Sequence, residues 1–554
     1  MKRVFIVLFA ILNTFSLCFS SFVNLSDVKS GQKGIGITRW NNNTLKEFSF
    51  EVIGVFKNSP KSGVIIARID DEEIRSTGVV AGMSGSPVYI DNKLVGAVAF
   101  TWTFLKEPIV GITPIEDMIT LENYLKNYVS LPGDLKYVTP ILLSGASKIT
   151  KSLIESTMKD NFLIIDSFSS FGLKYETAQR GFKPGDAIGI NLVSGDMELT
   201  AIGTVSYVDG DKVFALGHPA FLGGKTSVPI SEVDIVTIVP RQSLSFKLGV
   251  PKQIVGSMEF DGSSGIFGIV GKTAPTIKVF IDVDGQYSYK YQIAKVSGIL
   301  SSLVSATITE SVLKSKGIFG EGNVKLDCRV SFKFEGVDKK YNIDFSDIIP
   351  VYQMGYGYAI SILDVNSILD FLIYNPIFSV DIEEVRVRIE TEPIDVGFVA
   401  FVIPSKVVVS PGEDIRVTVG IKKFRDQIIT RDFNLKIPSW VQSGTRINIG
   451  AINRASRTIQ KLNLFPETIV FDTYEKLYNF ISQDLRTDKL VLYVEIPSSG
   501  YASSGYTYNL LPNYLSTVFN ISPKSKNIIP FILEEEVLED FPIGGFATTS
   551  IFVR

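Results

Sequence analysis

The sequence predicts a mainly β protein: two strand-rich blocks folding as small barrels, then an α+β segment and a β-sandwich-like C-terminal region. Three observations predict it. Val, Ile, Phe, Thr and Tyr are abundant, and most apolar runs are short and end at Gly, Pro or Asn/Asp. Between about 30 and 300 the strands are closely spaced and rich in glycine, which small barrels need at tight corners. Past 395, VVVSPGEDIRVTVGI and FNLKIPSW alternate apolar and polar residues around a Pro-Gly turn, as strands of a sandwich do. At 554 residues the chain exceeds what one core serves, and length alone suggests about three or four domains.

Taken in order, residues 21–130 carry the strands KGIGITRW, FSFEVIGVF, GVIIARID, SPVYID and KLVGAVAF, closed by a helical pattern from Pro114 to about Tyr128. Residues 131–300 begin with a crossover and short helix before DAIGINLV, LTAIGTVSYV, KVFALGHPAF and TIKVFIDVDG. Residues 301–393 form the α+β segment, with helical patterns at Leu300–Ser315 and Ala359–Ile373 flanking strands. Residues 394–554 are sandwich-like with one helix. There Asp472, with Glu475 three positions on, reads as a cap, and Tyr474, Leu477 and Ile481 as the buried face.

Composition bounds the function. Apolar residues at 45% and charged residues at 20% describe a globular chain. The formal net charge of −3, from 55 basic against 58 acidic residues, gives no footprint for nucleic acid. At the N-terminus, Lys2 and Arg3 precede an apolar stretch from Val4 to Phe19, with Cys18 and Ser20 suited to a cleavage site. That order predicts a secretory signal peptide over residues 1–20, an exported protein (periplasm, envelope or exterior), and no membrane span after cleavage. Cleavage leaves Cys328 without a disulfide partner; in VKLDCRVSFKF it reads as a buried strand residue. One histidine and one cysteine build no Cys/His metal cluster, and no cofactor or metal is expected.

The chemistry rests on two short stretches. In Gly82-Met83-Ser84-Gly85-Ser86-Pro87, glycines flank Ser84 and permit the tight turn that exposes a nucleophile. The N–H groups of Gly82 and Ser84 would form the oxyanion hole. Ser86 is the rival nucleophile, and a plain polar β-turn is the reading without chemistry. The second stretch, FALGHPAFLGG, holds the only histidine, His218, between Gly217 and Pro219. Its imidazole suits a general base near neutral pH. For the acid that orients it, Asp70 in ARIDDEEIRSTG is favoured, with Asp209 and Asp211 in the hairpin-like YVDGDK as alternatives.

GMSGSPVYIDNKLVGAV resembles the serine block of the SpoIVB sporulation peptidases, and AIGTVSYVDGDKVFALGHPAF resembles their histidine block. The resemblance covers roughly residues 30 to 300. The family is similar to trypsin-like double-barrel serine peptidases in its GxSG motif, so the resemblance implies Ser84 as nucleophile and His218 as base. Its acid precedes a K-T-G-like stretch; Ser76-Thr77-Gly78 occupies that place, which makes Asp70 the matching position. The order departs from the family, since Ser84 precedes His218 here and no PDZ domain precedes the barrels.

The expected function is therefore an exported serine endopeptidase that cleaves protein or peptide substrates through an acyl-enzyme at Ser84, with the chain itself and a few envelope proteins as the candidate substrates. The alternative is an envelope interaction or scaffold protein that keeps the peptidase fold without turnover. A carbohydrate-active enzyme would need a carboxylate pair, and nothing singles one out. Ser84 and His218 stand 134 positions apart (218 − 84), so only the fold can unite them.

Overall fold

The computed structural model describes residues 22–554, apart from 60–61, 103, 122–134, 138–139, 159–161, 168–180, 222–223, 318–320, 353–363, 376, 465–471, 504–505, 510–525 and 529. The predicted signal segment at 1–20 lies outside the described residues. So does the end of the helix expected to reach Tyr128; its described part is Ile115–Ile119.

Two compact units make up the chain. One comprises Met1–Leu142, Asp160–Asn191 and Leu199–Ala274; the other comprises Leu143–Lys159, Leu192–Glu198 and Pro275–Arg554. The chain is mainly β, as its composition predicts, and the first unit carries two closed rings of strands.

The first ring uses β1 (Lys33–Arg39), β2 (Leu45–Ser59), β3 (Ser62–Asp70), β5 (Pro87–Ile90), β6 (Lys93–Trp102) and β7 (Ile109–Pro114). They pair in the order β5-β1-β2-β3-β7-β6, and a further β5–β6 pairing closes the barrel. The two-residue β4 (Val80–Ala81) stands outside this ring. Glycines allow the tight register: a Cβ at Gly36 would lie 2.2 Å from the Phe48 ring. Three short strands follow, β8 (Leu135–Tyr137), β9 (Pro140–Ser144) and β10 (Leu163–Ser167).

The second ring uses β11 (Ala187–Gly195), β12 (Glu198–Asp209), β13 (Lys212–Ala215), β14 (Gly224–Val239), β15 (Ser245–Gly262) and β16 (Gly265–Val270). Its order is β12-β13-β16-β15-β14-β11, closed by β11–β12. One buried cluster runs through both barrels, from Phe48, Phe50, Ile65 and Val98 to Ala187, Ile202, Val233 and Phe246. Each fully buried large apolar side chain there contributes about 1.5–3 kcal/mol, so the two barrels stand or fall as one core.

In the second unit, β17 (Thr276–Val283), β18 (Tyr287–Ala294), β19 (Gly322–Phe334), β20 (Lys340–Val351) and β21 (Val380–Glu392) pair in the order β18-β17-β21-β19-β20. The helix Leu300–Lys316 packs on β17 and β18 and against the helix Asp364–Tyr374. Cys328 is buried in β19, where burial pushes its thiol pKa up and makes it inert. Beyond 395, a four-stranded and a five-stranded sheet enclose one core that includes Val417, Val419, Ile447, Ile449 and Leu492. Two helices rather than the expected one are described past 395, Arg454–Leu464 and Tyr474–Ile481; the latter buries Leu477 and Ile481 as expected, but its cap is Thr473, which accepts from the Lys476 N–H. Asp472 instead pairs with the Lys476 ammonium at 2.8 Å. Among the described residues no helix is long and apolar enough to cross a membrane.

Candidate active site

The serine motif forms a tight turn between β4 and β5. β4 runs parallel to the start of β15, with Val80 opposite Ser245 and Ala81 opposite Phe246. The chain then reverses through Gly82 and Gly85, whose φ angles of 100° and 92° exclude most side chains. Space excludes them too, since a Cβ at Gly85 would lie 1.8 Å from the Thr204 carbonyl oxygen. Inside the turn, the Met83 N–H donates to the Val80 carbonyl (3.0 Å), Ser86 N–H to Met83 (2.8 Å) and Gly85 N–H to Val98 (2.7 Å). No oxyanion donor comes from those three groups.

A strand of the histidine-bearing barrel grips the carbonyl side of this turn. On β12, the Thr204 N–H donates to the Ser84 carbonyl at 2.7 Å. The Thr204 hydroxyl donates to the Gly82 carbonyl at 2.8 Å, and the Ser206 hydroxyl to the Gly85 carbonyl at 2.8 Å. Behind Gly82 lies the fully buried Lys247, whose Nζ donates to the hydroxyls of Thr38 (2.7 Å) and Thr204 (3.1 Å). Burial pushes the Lys247 pKa down to about 7, and the Arg39 charge adds to that.

The histidine turn follows β13. Leu216 and Gly217 both take positive φ, 70° and 71°. For leucine this conformation costs about 1–2 kcal/mol, and such strain concentrates at functional sites. The Thr113 hydroxyl donates to the Gly217 carbonyl at 2.6 Å. A Cβ at Gly217 would lie 3.3 Å from the Val98 carbonyl oxygen, the same oxygen that accepts from Gly85. A Cβ at Gly85 would in turn lie 2.6 Å from the Leu216 nitrogen. The fold therefore brings the turns of Ser84 and His218 together.

Both side chains are buried, Ser84 at 0% and His218 at 2% exposure. The expectation of an exposed serine hydroxyl does not hold for this closed arrangement. His218 Nδ1 lies 2.7 Å from the Pro219 carbonyl oxygen. A carbonyl can only accept, so Nδ1 carries the proton and Nε2 keeps its lone pair. Burial pushes the His218 pKa down to about 4, with the Pro219 carbonyl pulling weakly upward. The imidazole is neutral at pH 7.

The structure does not bring Asp70 to this place. Asp70 ends β3, is 70% exposed and pairs with Arg75 at 2.5 Å. Its neighbour Asp71 caps the helix Glu72–Thr77, accepting from the Ile74 N–H at 3.0 Å. The acidic run is a helix start, whose first-turn carboxylates complement the exposed N–H groups. Asp209 and Asp211 are exposed in the β12–β13 hairpin. The rival Ser86 has a buried hydroxyl with no partner among the described residues, so no base stands ready for it.

One carboxylate missed by sequence reasoning does reach the histidine turn. Asp261 is buried near the end of β15 and accepts from the N–H groups of Ala220 (2.7 Å) and Phe221 (2.6 Å). It pins the segment that leaves His218. Asp-Gly at a strand end reads only as a turn signal, and the pairing spans 41 positions.

Comparison with known proteins bears on one part of the chain. No curated protein matches it, and no solved structure does. The histidine turn lies outside the stretch matched by the family model for SpoIVB peptidase S55, which covers residues 19–119. That stretch holds the first barrel and the whole serine turn, and over it the chain is similar to the SpoIVB peptidase S55 family.

Proposed function

We propose that the protein is an exported serine endopeptidase in which Ser84 is the nucleophile and His218 the general base. The observation that carries this reading is the meeting of the two turns at the Val98 carbonyl. The Ser84 Oγ attacks the scissile carbonyl carbon while its proton passes to His218 Nε2. The N–H groups of Gly82 and Ser84 receive the developing oxyanion. As the C–N bond breaks, the imidazolium returns the proton to the leaving amine, and water then hydrolyses the acyl-enzyme. Pro219, through its carbonyl on Nδ1, takes the tautomer-fixing duty that an aspartate performs in a triad. A cavity of about 190 Å³, lined by Gly78, Val79, Phe104 and Arg241 among others, opens beside the chain leading into the serine turn. It offers room for a substrate side chain.

The burial of Ser84 and His218 favours a second reading, an envelope scaffold that retains the fold without turnover. A small fluorophosphonate separates the two. The peptidase requires covalent labelling of the wild-type protein that disappears in Ser84→Ala and falls by about 10²-fold or more in His218→Ala. Asp70→Asn should label within about twofold of wild type, because its exposed ion pair contributes little. Absence of labelling in the folded wild-type protein would leave the scaffold standing.

A further inference from the structure

Lys247 has no part in the mechanism above, yet it is fully buried behind the serine turn. No carboxylate pairs with it among the described residues, and a buried ammonium without a counter-charge is expensive to keep. One of its two hydrogen bonds leads to the site. Nζ donates to the Thr204 hydroxyl, that hydroxyl donates to the Gly82 carbonyl, and the Thr204 N–H holds the Ser84 carbonyl. The lysine stem fills the space under the glycine: a Cβ at Gly82 would lie 2.9 Å from Lys247 Cδ. The second Nζ contact, Thr38 on β1, ties the same ammonium to the first barrel.

We propose that Lys247 is a positioning residue for the Ser84 turn, its ammonium acting through the Thr204 hydroxyl to hold and polarise the Gly82–Met83 peptide. The inference rests on the peptidase reading and deepens it. A charged donor on the Thr204 oxygen makes that hydroxyl a stronger donor to the Gly82 carbonyl. The peptide plane is thereby held, and a positive charge lies behind the turn where negative charge develops. Lys247 is not the base, since its Nζ is engaged by two threonines. The charged group that faces it is Arg39 on β1, paired with Asp186 at 2.6 Å. β14 sets Ile238 opposite it, β4 and the turn at 82–86 contain no ionisable side chain, and His218 is neutral above about pH 4.

The test is the rate of fluorophosphonate labelling across about pH 5 to 9 for wild type, Lys247→Met, Thr204→Val and the double variant. The wild-type rate should fall as pH rises through about 7, where the ammonium loses its proton. Lys247→Met should be slower by about tenfold at pH 6, less than the roughly 10²–10³-fold loss on removing a direct oxyanion donor, and should lack that falling limb. Thr204→Val should also lose the limb, and the double variant should be no slower than the slower single one. Thermal melts keep folding out of the comparison, because methionine of similar volume removes the buried charge and should leave stability equal or higher. Labelling of Lys247→Met at the wild-type rate with an unchanged pH profile overturns the proposal and leaves Ser84 as nucleophile. Failure of the wild type to label at any pH removes both.

Discussion

At the scale of single residues, His218 makes a prediction that needs no substrate. Its folded pKa of about 4 lies below the ordinary histidine value of 6.5. Between those values the unfolded chain binds the proton and the folded chain does not, so stability rises with pH across that window. The contribution is complete above about pH 6.5 and is lost as pH falls toward 4, amounting to about 3 kcal/mol. Urea unfolding of wild type and His218→Ala from pH 7 down to about 4 should therefore give a steeper decline in the wild type. Parallel declines would mean that the imidazole is hydrated in the folded protein. The tight turns at Ser84 and His218 were legible because Gly flanks and a Gly-His-Pro sequence announce backbone shapes that few other residues allow. The Pro219 carbonyl was not, since a backbone oxygen has no residue identity to read. Asp70 misled for a related reason: an acidic run before a short helix looks the same in sequence whether it serves a histidine or caps the helix.

Among the elements, β12 does more than close a barrel. Its Thr204 and Ser206 donate three hydrogen bonds to the carbonyls of the serine turn, and Gly85 is the point of closest approach. Gly85→Ala should cost about 3–5 kcal/mol, because the new methyl must displace the backbone of β12 and also sit at positive φ. Gly210→Ala is the control: its φ of 62° is strained, but a Cβ there meets nothing within 4 Å, so about 1 kcal/mol is expected. Chemical denaturation of both variants reads the difference, and equal losses would show that the turn is not gripped as described. The strand carrying LTAIGTVSYV was visible in the sequence, as were the helix at Leu300–Lys316 and the sandwich strands past 395. Their partners were not, because register between strands far apart in the chain is decided by packing. The exchange of Asp472 for Thr473 as a helix cap shows the same limit at one residue's scale, since both types are favoured caps and sequence does not say which one the chain uses.

For the whole molecule, the mainly β character followed from composition, whereas the closure of two rings depends on pairings such as β5–β6 and β11–β12 that only the folded chain displays. We propose export from the charged start and short apolar stretch at the N-terminus. N-terminal sequencing of protein from the native envelope should begin near Ser21, and an intact Met1 there would end the idea. The grip of β12 on the serine turn bears on that journey. Thr204 follows Gly82 by 122 positions, and a ribosome delivers the chain from its N-terminus. For the whole interval between those two residues the nascent chain carries Ser84 without the β12 groups that hold the surrounding carbonyls. A chain that stalls or is cut within that interval is a blunt one, with the serine present and its setting missing. On the proposed peptidase reading, the site is therefore finished only once most of both barrels has left the ribosome.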